Sequence, residues 1–293
     1  MAELILDARN GTGESPVWHV GEQALYWVDI PGKTINRWSP TAGHRQWETE
    51  EMPACIAATA TPGQWIAGME SGVFSLQLQD DGKTLATRLA AVPHAAPTMR
   101  FNDGRCDRQG RFWAGTMLLD MAAAARVGCV YSYASDSEKL ATVLDDFIVP
   151  NGLAFSPDGK TMYVSDSHPT VQQVWAYDYD TQSGTPSNRR LFIDMNNFSG
   201  RPDGAAMDVD GCYWICGNDA GLIHRFTPDG RLDRSLAVPV KKPAMCAFGG
   251  PQLDTLYVTS IRPGGDLTDQ PLAGGVFALQ PGTQGLPEPT FGT

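Results

Sequence analysis

The chain has 293 residues, 42% hydrophobic and 19% charged, a globular composition with ample apolar surface for a core rather than that of a disordered segment. Its net charge of −11 lacks the basic footprint of a nucleic-acid binder and makes anionic membrane surfaces equally poor partners. The opening residues Met1-Ala-Glu-Leu-Ile-Leu-Asp do not read as a signal peptide, and no run approaches the about 18 apolar residues of a membrane span, so a cytoplasmic location is expected.

In chain order, a short apolar strand, Leu4-Ile-Leu6, comes first and stands apart from the later segments. Six segments then repeat one pattern: an apolar strand, a turn, and an aromatic-rich strand. Glu14-Ser-Pro-Val-Trp leads to Leu25-Tyr-Trp-Val-Asp, and Cys55-Ile-Ala-Ala-Thr leads to Gln64-Trp-Ile-Ala-Gly. Asp103-Gly-Arg-Cys-Asp leads to Arg111-Phe-Trp-Ala-Gly-Thr, and Asn151-Gly-Leu-Ala-Phe to Thr161-Met-Tyr-Val-Ser. Asp203-Gly-Ala-Ala-Met leads to Cys212-Tyr-Trp-Ile-Cys, and Met245-Cys-Ala-Phe to Thr255-Leu-Tyr-Val-Thr. The aligned aromatics Trp27, Trp65, Trp113, Tyr163, Trp214 and Tyr257 recur at roughly 40 to 50 residues, the length of a four-stranded blade.

Turns such as Ser156-Pro-Asp-Gly-Lys160 and Asp208-Val-Asp-Gly211 join the paired strands, and no long 3.6-residue apolar period appears. The run Ala122–Ala125 reads as a loop or one helical turn, and the residues after about Gly282 as a loose tail. The expected fold is therefore all-β: a six-bladed β-propeller of four-stranded antiparallel blades around a central channel, one domain over residues 1–293. The last strand, Gly275–Leu279, and the first are left over at the two ends and can share a blade, closing the ring. Such a ring needs no partner, so a monomer is the default. Cys55, Cys106, Cys129, Cys212, Cys216 and Cys246 form no Cys-x-x-Cys pair and read as reduced, mostly buried small residues.

Four repeats place an oxygen-bearing side chain just before or at the start of the first strand: Glu14, Asp103, Asn151 and Asp203. A turn glycine comes seven or eight residues after each (Gly21, Gly110, Gly159, Gly211), so the four share one phase. First strands line the axis of a propeller, and side chains in one phase converge on one mouth of its channel. Asp103-Gly, Asn151-Gly and Asp203-Gly are also ordinary turn dipeptides. Converging carboxylates, however, repel one another unless a cation neutralises them, and all-oxygen donors suit Ca²⁺, Mg²⁺ or Mn²⁺, with Zn²⁺ a poorer match. There is no Gly-x-Ser-x-Gly elbow, no paired-histidine spacing among His19, His44, His94, His168 and His224, and no Gly-rich phosphate loop.

These segments carry a family resemblance. Glu14-Ser-Pro-Val-Trp, Arg100-Phe-Asn-Asp-Gly104 with Trp113-Ala-Gly-Thr-Met117, Pro150-Asn-Gly-Leu-Ala-Phe-Ser-Pro-Asp-Gly159 and Arg201-Pro-Asp-Gly204 resemble the family of senescence marker protein (regucalcin), gluconolactonase and luciferin-regenerating enzyme. The matches run in order through nearly the whole chain. The resemblance implies one divalent metal ion (Ca, Zn, Mg or Mn) on Glu14, Asn151 and Asp203, and substrate contacts from Arg100 and Asn102. Phase favours Asp103 over Asn102, and Asp103 is then left to order its loop. An acidic substrate contact comes after the Ala-Gly-Thr-Met segment in the family; Asp120 stands there, shorter than the frequent Glu.

The implied activity is hydrolysis of a sugar lactone to an aldonic acid in carbohydrate catabolism, with Asp203 as general base and a small-molecule sugar lactone as the only partner. The loops Leu118–Val127, Asp166–Val171, Asn196–Arg201 and Ile261–Leu272 would set specificity at the mouth. Competing readings are a metal-dependent esterase or phosphotriesterase on non-sugar substrates, a non-enzymatic calcium-binding regulator, and a metal-free binding platform.

Overall fold

A computed structural model describes residues 2–137 and 139–293, and among these the chain forms six four-stranded antiparallel sheets set around one axis. Blade one is Gly13–His19, Ala24–Asp29, Thr34–Ser39 and Gly43–Glu48, from the axis outward. The inner strands of the next four blades are Cys55–Ala58, Met99–Cys106, Pro150–Phe155 and Arg201–Met207. Blade six joins Pro243–Gly249, Thr255–Ser260 and Val276–Leu279 to the N-terminal strand Glu3–Leu6. Each inner strand touches the inner strands on either side, so the ring is closed. The six-bladed propeller expected from the repeat is the fold observed.

The repeat exists because each blade buries an aromatic between itself and its neighbours. Trp27, Trp65, Trp113 and Trp214 are all at most 2% exposed. Rings meet across blade boundaries: Tyr26 with Trp65 at 4.4 Å, Tyr163 with Tyr213 at 5.2 Å, Trp214 with Phe248 at 5.8 Å, and Trp18 stacked on Tyr257 at 5.2 Å. Such pairs add about 0.5–1.5 kcal/mol each beyond their area burial. All six cysteines are free thiols, and five are buried.

Two ends of the chain seal the ring differently. The first strand pairs antiparallel with Val276–Leu279, as the leftover strands suggested, and covers an edge that would otherwise be open. The tail, expected to be loose, is not. Residues 284–292 cross the channel end opposite the first residues of the inner strands. Val209 N donates to Gln284 O, Gly285 N to Leu253 O, Phe291 N to Ala58 O and Gly292 N to Gly110 O. Glu288 lies 3.5 Å from buried Arg105, and Phe291 stacks on Tyr133. Its anchors lie on four blades far away in sequence, so no local pattern announces them.

Among the described residues helix is limited to two single 3₁₀ turns, Met121–Ala123 and Met195–Asn197, the first overlapping the Ala122–Ala125 run read as a loop or one turn. Among the described residues no helix is long and apolar enough to cross a membrane.

Removing residues 2–6 strips blade six of its outer strand and the partial burial of Leu4, Ile5 and Leu6. At roughly 1 kcal/mol each, and about 2–4 °C per kcal/mol for a chain of this size, the truncated protein should melt roughly 10 °C lower in a thermal scan. An unchanged Tm would mean that this strand does not close the ring.

Candidate functional site

Five of the six inner strands break register with their neighbour at one level. The breaks fall between Glu14 and Val17, Phe101 and Gly104, Asn151 and Ala154, Pro202 and Ala205, and Pro243 and Cys246. Blade two pairs without a break and supplies no candidate residue. A bulge turns extra side chains out of the ladder and re-aims them. Asn102, Asp103 and Asp203 lie inside such breaks, while Glu14 and Asn151 are the last paired residues before theirs, so all five sit at the level of the breaks near the mouth. The glycines next in sequence are therefore part of the inner strands rather than turn caps. Gly152 has φ +59°, and a Cβ there would sit 2.4 Å from the Tyr213 hydroxyl. A Cβ on Gly204 would sit 2.3 Å from Met245. Blade one solves the same problem with Ser15, whose φ of +51° is held by its hydroxyl accepting from Ile56 N at 2.9 Å.

The side chains so placed form one buried polar cluster. Asn151 Nδ2 donates to Asp203 Oδ1 at 2.6 Å, and Asn218 Nδ2 donates to Asp203 Oδ2 at 2.5 Å. Glu14 is buried beside them. Its pKa lies well above the usual carboxylate range, first through burial and then through repulsion from Asp203 and Asp103, against the pull of Arg100. Asp203 is pushed up to about 7, mainly by burial, with Arg201, Asn218 and Asn151 pulling it down. Burial likewise raises Asp103, whose Oδ2 accepts from Leu153 N at 2.8 Å. Asp103 thus orders the start of the next blade, a loop-ordering role and not the ligand role that its phase alone suggested.

Arg100 Nη1 donates to Asn102 Oδ1 at 2.9 Å and to Phe101 O at 2.7 Å, and Asn102 Nδ2 donates to Pro150 O at 3.1 Å. Burial lowers Arg100 to about 10, so it stays charged at neutral pH. Asp120 stands apart on the exposed rim, where its Oδ1 caps the first 3₁₀ turn through Ala122 N at 3.1 Å. His168, buried in the next mouth loop, reaches Met121 O at 3.1 Å and pins that turn.

Asn218 was not among the residues singled out from sequence. It ends the second strand of blade five, outside the phase of the inner strands, and it is fully buried. The corresponding second-strand ends carry Asp29, which accepts from Gly11 N and Thr12 N, and Asp166, which accepts from Ile148 N and Val149 N. A polar residue at that place was the available signal. Only Asn218 of the three bonds to a residue of the axial cluster.

The donor set fits a hard dication. Among the described residues no group of three or more His, Cys, Asp and Glu side chains is placed to hold a metal. The set offered here is two carboxylates, Glu14 and Asp203, and the Asn151 amide oxygen. Burial is the main reason that the three carboxylates Glu14, Asp103 and Asp203 are raised, and repulsion from Asp203 and Asp103 adds to it at Glu14, so a cation at their meeting point would relieve both costs.

Comparison with known proteins locates this arrangement. The family described as SMP-30/Gluconolactonase/LRE-like region matches residues 12–262. The chain is 39% identical to a 6-deoxy-6-sulfogluconolactonase of Pseudomonas putida over 95% of this chain and 94% of that one. It is 34% identical to regucalcin of Oryctolagus cuniculus over 97% and 96% of the two chains. A solved structure of a calcium-binding regucalcin from Agrobacterium tumefaciens superposes with a TM-score of 0.91 at 26% identity, covering 100% of this chain and 98% of that one.

Replacing Asn218 by Ala leaves one oxygen of the buried Asp203 carboxylate without its amide donor. A loss of about 1–3 kcal/mol is expected from an orphaned buried acceptor, measured by urea unfolding of the metal-free protein. Unchanged stability would show that the Asn218–Asp203 bond carries no weight.

Proposed function

The chain belongs to the SMP-30/gluconolactonase/LRE-like family, and on that premise we propose that it hydrolyses a sugar lactone to the aldonic acid, using one divalent ion held by Glu14, Asn151 and Asp203. The observation that carries this reading is the Asp203 carboxylate, buried beside Glu14 and gripped at both oxygens by the Asn151 and Asn218 amides. The whole ring serves as one unit, because the residues of the site come from four inner strands. The relatives' names bring the substrate as far as a gluconolactone skeleton.

When bound, the divalent ion supplies Lewis-acid polarisation of the lactone carbonyl. Asp203 acts as general base: it takes a proton from the attacking water while the water oxygen bonds to the carbonyl carbon. Its pKa of about 7 in the metal-free site marks a carboxylate able to hold a proton near neutrality. As the ring C–O bond breaks, the leaving alkoxide receives that proton, and the product is an open hydroxy acid. Asn151 and Asn218 fix the carboxylate so that only one orientation is available for the transfer. Arg100 and Asn102, joined at 2.9 Å, offer donors to the sugar hydroxyls and hold the ring over the base. Asp120, on the rim, would accept from an outer hydroxyl through the oxygen that does not cap the 3₁₀ turn.

A second reading, a calcium-binding protein without turnover, is favoured by the name of the regucalcin relatives. Acid release from glucono-1,5-lactone, corrected for spontaneous opening, separates the two. Chelation should abolish the enzymatic rate and a divalent ion should restore it, while Asp203→Asn should lose at least about 100-fold in kcat, the scale of a general base. Bound metal with no turnover on any aldonolactone would favour the second reading instead.

Metal and protons compete for the same carboxylates. Glu14 and Asp203 both have folded-state pKa values above their unfolded ones, so the metal-free fold loses stability as pH rises, for Asp203 between about pH 4 and pH 7. The rise in Tm on adding a divalent ion should accordingly be largest near pH 8 and shrink toward pH 5. A shift independent of pH would place the ion away from these groups.

A further inference from the structure

The mouth has a cationic side that the proposed hydrolysis does not use. Arg201 begins the inner strand of blade five, and Lys242 immediately precedes that of blade six. Both bind one carboxylate. Arg201 Nε lies 2.6 Å from Asp219 Oδ2, and the Lys242 ammonium pairs with Asp219 Oδ1. Asp219 comes directly after Asn218 and holds φ at +77°, a left-handed conformation that Asp tolerates better than most residues. Gly200 lets the chain reach Arg201 against the second strand, since a Cβ there would lie 2.5 Å from the Gly217 carbonyl carbon.

The cluster connects directly to the axial carboxylate. Arg201 Nη2 donates to Asn218 Oδ1 at 3.4 Å, and Asn218 in turn holds Asp203. Arg201 is also, after burial, the strongest influence on that carboxylate. The Arg201 and Lys242 side chains are 20% and 27% exposed, so both are reachable from solvent, and the remaining Arg201 nitrogen, Nη1, makes long bonds to Ser167 O at 3.3 Å and Ser167 Oγ at 3.4 Å. Two cations against one carboxylate leave a net charge of +1, in a chain whose total is −11. Arg100 and Asn102 stand on blade three of the six-bladed ring, and these two cations on blades five and six.

Resting on the lactonase reading, we propose that Arg201 and Lys242 form a subsite for a singly charged anionic substituent on the lactone, of the sulfonate type, at the end of the sugar remote from Arg100 and Asn102. A sulfonate presents three acceptor oxygens to the guanidinium and ammonium donors and neutralises the net positive charge. A phosphate carries about −1.5 to −2 charges and would leave excess negative charge beside Glu14 and Asp203. Asp219 keeps the two cations in place before substrate arrives, so the subsite is ordered in advance.

The test compares kcat/KM for 6-deoxy-6-sulfoglucono-1,5-lactone, 6-phosphoglucono-1,5-lactone and glucono-1,5-lactone, in wild-type protein and in Lys242→Gln and Lys242→Glu. The wild type should prefer the sulfonated lactone over both others. The sulfonated-to-neutral ratio should fall about tenfold in Lys242→Gln and further in Lys242→Glu, mostly through KM, and the wild-type ratio should fall with added salt. Equal losses on all three lactones, or no wild-type preference for the sulfonated one, would overturn the subsite while leaving the lactonase reading intact. A wild-type preference for the phosphorylated lactone would overturn the single-charge argument. Failure to hydrolyse any of the three would count against the lactonase reading itself. Folding of each variant is checked by its Tm, and Arg201→Lys, which keeps the charge but loses the fork, should lower the sulfonated-to-neutral ratio less than Lys242→Glu does.

Discussion

Carboxylates held out of water at the axis of a ring set the terms for this molecule. Glu14, Asp103 and Asp203 are each no more than 8% exposed, and they come from three different blades. Such a group is stable only if every oxygen is bonded or neutralised. The ring answers with amides, Asn151 and Asn218 on Asp203, with the charge of Arg100 near Glu14, and with a backbone N–H on one Asp103 oxygen, whose other oxygen has no hydrogen-bond partner and only the charge of Arg105 nearby. The remaining negative charge is the demand that a dication would meet. If a dication binds there, its binding and the stability of the fold would be coupled for that reason.

The bulges make this convergence possible. A regular inner strand would alternate its side chains between the neighbouring blades, as Cys55–Ala58 of blade two does, and deliver none of these groups to the mouth. The break in register rotates one or two residues inward at the cost of an unusual backbone at Ser15 and Gly152. The far end of the channel is closed by the tail, where Glu288 meets Arg105 and Phe291 meets Tyr133. The mouth is therefore the end left for chemistry. Around it charge is divided, with Arg100 on one side and Arg201 and Lys242 on another.

Much of this was legible in the sequence because the repeat is both structural and chemical. The recurring Trp and Tyr positions mark blade contacts, and the common phase of Glu14, Asn151 and Asp203 marks one level of one channel. The same phase did not distinguish Asn102 from Asp103, because a bulge presents both residues near the axis. Asn218 lay on a second strand, and its role depends on a fold in which that strand's end returns to the mouth. The tail, rich in Gly and Pro, carries no periodicity; its order comes from single backbone bonds to Leu253, Ala58 and Gly110. Contacts of that kind become visible only when the ring has closed.

The central claim is that these bulged strands build a site for one hard cation, and the most direct measurement is anomalous X-ray scattering from crystals equilibrated with Mn²⁺. The expected result is a single strong peak in contact with Glu14, Asn151 and Asp203 that is lost in crystals of Asp203→Asn. A peak elsewhere in the molecule, or none in the mouth at saturating Mn²⁺, would contradict it.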